Sequence, residues 1–252
     1  RGRRPVPGER HVIRTESRDG ITAISIDRPP ANALNTELVS RLHDAHQAAC
    51  ADGARVVILT GRPGMFSGGL DVPELLPQSR AAVEEFWLAF FRLTRALAVS
   101  PVPVVAAISG HAPAGGAVLA IHCDYRIGAR GNFRMGLNEV AVGLPVPDCI
   151  MLALEHLVGA RLAQRLAMTA QLVGVDEALA IGLLDEAVEP DQLLTHAWEW
   201  SRRLAGLPQL AMNRTRMLAR RRLVDLLEPQ ADARLATQLW FSEETQAGMR
   251  AL

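Results

Sequence analysis

The chain has 252 residues, long enough for one large domain, and its 49% apolar and 21% charged composition is that of a globular protein. Its 27 basic side chains balance 27 acidic ones, so no net field draws it to nucleic acid or to an anionic membrane. Every basic residue is arginine, which excludes a lysine Schiff base, a pyridoxal-phosphate lysine and a phosphate loop ending in Gly-Lys-Ser/Thr. The cysteines, Cys50, Cys123 and Cys149, contain no CxxC. They suit neither a disulfide framework nor a zinc site and fit a reducing, cytoplasmic setting. No run of about 18 apolar residues is long enough to span a membrane, and no signal peptide is expected.

In chain order, residues 1–10 are basic, contain Pro5 and Pro7, and read as a flexible tail. Residues 11–16 and 21–26 predict two strands separated by the turn signal Arg18-Asp19-Gly20. Asn35 can cap a helix that runs to about Asp52, with Leu38, Val39, Leu42, Ala45 and Ala49 on one face. Residues 55–60 form an apolar run of strand length, as expected of a strand buried on both faces. A glycine-rich stretch follows, Gly61 to Asp71, and Ser79 can cap a helix through Val83, Phe86, Trp87, Phe90, Thr94 and Leu97. Residues 104–109 predict a third core strand, and the turn Gly110 to Gly116 opens a short apolar helix over 117–122. Strands are expected at 124–129 and 132–135. Helices with no strand between them are expected at 192–205, 210–227 and 231–244. The chain thus divides into the tail, a mixed core over 11–195 and a helical region over 196–252. The arginines at 214, 216, 220, 221 and 222 read as a solvated helix face.

Two glycine-rich turns each follow an apolar strand: Met65-Phe66-Ser67-Gly68-Gly69-Leu70-Asp71 and His111-Ala112-Pro113-Ala114-Gly115-Gly116. Glycine lets backbone N–H groups approach a ligand closely, and a helix start presents unpaired N–H groups with partial positive charge. Two such groups aimed at one oxygen form an oxyanion hole; by spacing alone, a glycine-rich stretch is more often just a tight turn. Glu139 stands among Val140, Val142, Leu144 and Val146. It is either a desolvated carboxyl suited to proton transfer or a surface glutamate beside an irregular loop.

The order of these motifs resembles the crotonase superfamily, the enoyl-CoA hydratases and isomerases. The string at 65–71 is similar to its first oxyanion-hole signature, and Gly110-His-Ala-Pro-Ala-Gly-Gly is similar to its second. Cys123-Asp-Tyr-Arg-Ile follows at matching spacing. Arg28-Pro-Pro-Ala-Asn-Ala-Leu resembles the segment that touches coenzyme A, and 173–188 also fits. The resemblance implies an α/β fold: a ClpP-like crotonase spiral of ββα units, with a C-terminal helical region that drives assembly into a homotrimer or a hexamer. It implies an acyl-CoA substrate, with coenzyme A arriving as part of that substrate and no metal or redox cofactor. The backbone N–H groups of Leu70 and Gly115 would hold the thioester oxygen, and Glu139 would be the acid/base. Ala31, Ala33, Leu34, Ser67, Gly68, Gly69, Asp71 and Pro147 would join them around the substrate.

Within the superfamily, hydratases use two glutamates, one in the helix after the second glycine turn. That position is Val118 here. A glycine N–H that helps hold the water in hydratases is replaced by Pro147, which has none. Moving a double bond from the 3- to the 2-position needs one base, and the stretch Gly136-Leu-Asn-Glu resembles the mitochondrial-type Δ3,Δ2-enoyl-CoA isomerases. An isomerase is therefore the first expectation. A hydratase or another crotonase reaction is the second. A catalytically weak acyl-CoA-binding or RNA-binding scaffold is the third. No G-x-S-x-G surrounds Ser67 or Ser109, which argues against a serine hydrolase. His43 and His46 read as exposed histidines rather than a metal pair. His111 is assigned no role, and Asp124 with Arg126 reads as a structural ion pair. Trp198, Trp200, Trp240 and Phe241 read as apolar anchors for packing or for an acyl pocket.

Overall fold

The computed structural model describes residues 12–252; the tail expected over residues 1–10 lies outside them. The strands are β1 (Ile13–Arg18), β2 (Ile21–Ile26), β3 (Val56–Thr60), β4 (Gly64–Met65), β5 (Val104–Ile108), β6 (Gly110–Pro113), β7 (Tyr125–Ala129), β8 (Arg134–Gly136), β9 (Val173–Gly174) and β10 (Glu186–Val188). The helices are α1 (Thr36–Ala51), α2 (Val72–Leu75), α3 (Arg80–Ala98), α4 (Gly115–His122), α5 (Asp148–Val158), α6 (Ala160–Met168), α7 (Val175–Ala180), α8 (Leu193–Ala205), α9 (Gln209–Ala219), α10 (Arg221–Val224), α11 (Pro229–Trp240) and α12 (Glu243–Arg250). A 3₁₀ turn covers Glu139–Val142.

Six strands make one sheet in the order β1-β2-β3-β5-β7-β10, and four make a second in the order β4-β6-β8-β9. From β2 to β10 the first sheet is parallel. After β3, β5 and β7 the chain passes each time to the next parallel strand of the second sheet, β4, β6 and β8, and then into helix. This is a spiral of strand–strand–helix turns, the crotonase architecture. Its consequence is that the segments after β4 and after β6 lie side by side although they are far apart in sequence.

Local chemistry sets most of the boundaries. Asp19 and Gly20 both take positive φ (55° and 73°), and Arg18 pairs with Ile21. That is the two-residue turn whose twist matches a hairpin, so β1 runs two residues beyond the expected strand. The Asn35 side chain accepts from the Leu38 N–H and Ser79 from the Ala82 N–H, capping α1 and α3 as expected. All five residues of β3 are buried. Val57 and Leu59 face the core beneath α1 and α3, while Val56 and Ile58 face a second cluster with Leu193, Ala197 and Trp198 of α8. The continuous apolar run thus reflects a sheet covered on both sides. The boundary expected at 195/196 falls inside α8.

Five expectations need correction. The helix predicted over 210–227 breaks at Arg220 into α9 and α10, and the one predicted over 231–244 ends at Trp240, with α12 beginning after Ser242. Arg216 and Arg220 are not on a solvated face: Arg220 is buried and Arg216 nearly so, both held on the Asp124 carboxylate, at 2.5 and 2.9 Å respectively, and donating to the His122 and Ser100 carbonyls. Asp124 therefore pairs with these arginines, and Arg126 pairs instead with Asp185 at 2.6 Å. His46 is buried against Ser100 at 3.1 Å, and burial pushes it down to about 4, so it is neutral; only His43 keeps a partly exposed ring. Helical period revealed which arginines share a face, but not that a carboxylate at the end of a distant strand would be buried against it.

Two guanidinium groups on one nearly buried carboxylate make Asp124 costly to remove, because both charges would lose their counter-ion. Replacing Asp124 with Asn is expected to destabilise the fold by about 3–5 kcal/mol in chemical denaturation.

Candidate active site

The first glycine-rich loop is held against the 28–34 segment by Asn32. Its side-chain amide donates to the carbonyls of Ile26, Met65 and Phe66, and its Oδ1 accepts from the Arg28 N–H. The Asn32 carbonyl accepts from the buried Ser67 hydroxyl, and the Gly68 N–H donates to the Ala31 carbonyl at 2.8 Å. Arg28 closes the clip. It donates to the Ala33 carbonyl and pairs with Asp71 at 2.6 Å and Glu74 at 2.9 Å. Asp71 also caps α2 through the Glu74 N–H.

This clip aims one amide. Leu34 and Leu70 form a parallel bridge in which the Leu34 N–H donates to the Gly69 carbonyl, and the Asp71 N–H donates to the Leu34 carbonyl. In that pattern the N–H of Leu70 points away from its bridge partner. It donates to no acceptor among the described residues. The second amide comes from α4. Gly115 is the first residue of that helix, so its N–H has no partner one turn back. Ala114 before it holds φ 45° and ψ −122°. This conformation is costly for a residue with a Cβ, at roughly 1–3 kcal/mol, and is stabilised by the Ala114 N–H donating to the Gly136 carbonyl at 2.8 Å.

The two loops touch through glycine. A Cβ on Gly69, which has φ 87°, would sit 3.3 Å from the Gly115 nitrogen, and one on Gly116 would sit 2.4 Å from the Ser67 carbonyl. Glycine is required at both places because two backbones pass within contact.

Glu139 opens the 3₁₀ turn after β8, with the N–H groups of Gly143 and Leu144 donating to its carbonyl. The residue as a whole is partly exposed, but Oε2 is shut off from solvent and has no hydrogen-bond partner among the described residues. Burial raises its carboxyl from 4.5 to about 7, opposed in part by a backbone hydrogen bond.

Leu70, Gly115, Val118, Glu139 and Pro147 line one cavity together with Trp87, Phe90, Leu144, Pro145, Ile150 and Ala236. Its free volume is about 20 Å³, room for about one water molecule. Two unpaired amides and one desolvated carboxyl therefore share a largely apolar chamber in which Glu139 is the sole ionisable residue. Of the residues expected around a substrate, the structure brings Leu70, Gly115, Glu139 and Pro147 to the chamber. Ala31, Ala33, Leu34, Ser67, Gly68, Gly69 and Asp71 stand behind it in the clip.

Similarity to known proteins follows the same pattern. Residues 16–252 match the enoyl-CoA hydratase/isomerase family. The chain belongs to that family. It is 32% identical over 235 residues to human mitochondrial enoyl-CoA delta isomerase 1, covering 92% of this chain and 78% of that protein. It is 34% identical over 203 residues to a probable enoyl-CoA hydratase of Mycobacterium avium, covering 80% and 79%. Among solved structures, the human mitochondrial Δ3-Δ2-enoyl-CoA isomerase superposes with a TM-score of 0.92 at 30% identity, covering 96% of both chains. An enoyl-CoA hydratase from Mycobacterium ulcerans superposes with 0.81 at 30% identity, covering 90% and 96%. The chain is thus an enzyme of a family that contains both isomerases and hydratases.

Sequence reasoning missed three features of the site. Asn32 lay inside a quoted motif but was not singled out; its positive φ of 50° and burial mark it as an organiser. Trp87 and Phe90 were read only as a helix face, and their spacing does place them together. Ala236 reaches the chamber from α11, a contact for which no local signal exists. There α11 packs on α3 and Trp240 meets Trp87 edge-on at 6.2 Å, so Trp240 is a packing anchor behind a residue of the pocket wall.

Because the folded state holds the Glu139 proton to about 7 and the unfolded chain releases it near 4.5, ionisation favours unfolding across that interval. Wild type should therefore lose stability relative to Glu139→Gln as pH rises from about 4.5 to about 7, with a constant difference above. Parallel denaturation series at pH 4, 6 and 8 check this.

Proposed function

We propose that the chain is a Δ3,Δ2-enoyl-CoA isomerase, which converts a 3-enoyl-CoA to the 2-trans-enoyl-CoA. The observation that carries this reading is the single carboxyl in the chamber: Val118 stands where a second glutamate would be needed to add water, and Pro147 lines the wall with no N–H to offer. In this reading the amides of Leu70 and Gly115 bind the thioester oxygen and stabilise the negative charge that develops on it. Ionised Glu139 takes a proton from C2, giving a dienolate whose charge spreads to C4. The protonated carboxyl then returns the proton at C4. One group serves both steps because its pKa near 7 lets it accept and donate with little penalty. The apolar wall strengthens both amide contacts by excluding water. The proposed chemistry draws on no resident metal or redox cofactor; coenzyme A is part of the substrate.

The clip from Ala31 to Asp71 serves as the rim that orients the thioester, and the chamber takes the acyl chain. The walls must move to admit it, because the free volume is so small. We extend the reading to a homotrimer or a hexamer, for which the exposed Leu210, Leu218 and Leu226 of the helical region offer apolar surface. For location, the cytoplasm is proposed; no helix among the described residues is long and apolar enough to cross a membrane.

The test compares isomerisation of 3-hexenoyl-CoA with hydration of crotonyl-CoA. Isomerisation should be the faster reaction, Glu139→Gln should lower it by roughly 10²–10⁴, and kcat/KM should rise with pH to a plateau with a midpoint near 7. Faster hydration, or a variant with full isomerase rate, overturns the reading.

A further inference from the structure

The turn that carries Glu139 has little holding it from its own side. Val140 is exposed, no residue of the 3₁₀ turn is fully buried, and Asn138 before it makes no capping hydrogen bond. What presses on it is the last helix of the chain. The backbone of α12 lies so close that a Cβ on Gly248 would stand 2.4 Å from the Val142 carbonyl oxygen. A Cβ on Gly143 would in turn stand 2.8 Å from Cγ of Glu244. Gly143 closes the turn at φ 71°, a left-handed position that suits glycine.

One directed bond locks this contact. The Thr245 hydroxyl donates to the Gly143 carbonyl at 2.6 Å. Since its one hydrogen is spent there, the 2.9 Å contact between the Ser242 and Thr245 hydroxyls has Ser242 as donor. The Ser242 oxygen in turn accepts from the Thr245 N–H at 3.2 Å and caps α12. Thr245 is fully buried, so water does not compete for the bond. The chain of contacts thus runs from the cap of α12 through Thr245 to Gly143, whose N–H donates back to the Glu139 carbonyl.

We propose that α12, through Thr245 and Gly248, positions Glu139 for proton transfer, so that the final helix of the chain sets the rate of a reaction it does not touch. This rests on the isomerase reading above. Thr245 and Gly248 are positioning residues: neither lines the chamber. Displacement of a reacting group by about 1 Å can cost roughly 10²-fold in rate, and the contact at Gly248 leaves no room for even one methyl group.

The test is a double-mutant cycle on isomerisation of 3-hexenoyl-CoA by the full chain. Thr245→Val, which keeps the shape and loses the donor, should lower kcat about tenfold or more with KM little changed. Thr245→Ser should restore most of it. Gly248→Ala should lower kcat at least as far. In the Glu139→Gln background, Thr245→Val should produce no further loss, because the group it positions is already gone. Melting curves taken alongside confirm that each variant is folded at the assay temperature. An unchanged kcat in Thr245→Val, or the same fold-loss with and without Glu139, overturns the inference. A wild type that does not isomerise the substrate overturns the isomerase reading instead, so the two failures are distinct.

Discussion

A carboxyl group shut away from water, with no partner for one of its oxygens, is the constraint on which the account turns. At the surface both oxygens of Glu139 could bond to water and the group could ionise freely; the fold leaves Oε2 unpaired and raises the carboxyl to about 7. Such a group is unfavourable for stability and useful for chemistry. The two unpaired amides nearby follow the same logic, since buried backbone donors are nearly always paired. In the proposed reading, these groups left wanting partners in one apolar chamber are where a polar atom of the substrate belongs.

The spiral explains how those groups meet. Successive turns place the ends of β4 and β6 side by side, so that Gly69 can approach the start of α4, and the next turn brings the Glu139 segment after β8. In the proposed reaction the oxyanion contacts come from peptide units rather than side chains, and these units are held by Asn32, Ser67 and the Arg28–Asp71 pair on one side and by the strained Ala114 on the other. This leaves the chamber wall free to change among relatives, which fits a family in which hydratases and isomerases share one framework.

Much of this was legible in the sequence, for identifiable reasons. The run at β3, the caps Asn35 and Ser79, and the Asp-Gly turn are local signals and they placed their elements to within two residues. The glycine turns were legible as close approaches, and Glu139 as a carboxyl among apolar neighbours, though neither fact revealed that they converge. What stayed hidden depends on distant contacts. His46 lost its expected exposure to Ser100, Asp124 exchanged Arg126 for Arg216 and Arg220, and Ala236 of α11 became part of the chamber wall. Burial by a segment more than a hundred residues away, as Arg216 is by Ser100, leaves no periodic trace in either segment.

The central claim is that Glu139 removes the proton next to the thioester carbonyl while the amides of Leu70 and Gly115 hold the oxygen. The most direct measurement follows deuterium from D₂O into C2 of butanoyl-CoA, which has no double bond to move and so reports proton removal alone. The account predicts time-dependent exchange by wild type and exchange slowed to near the background rate by Glu139→Gln. Equal exchange by the two proteins would contradict it.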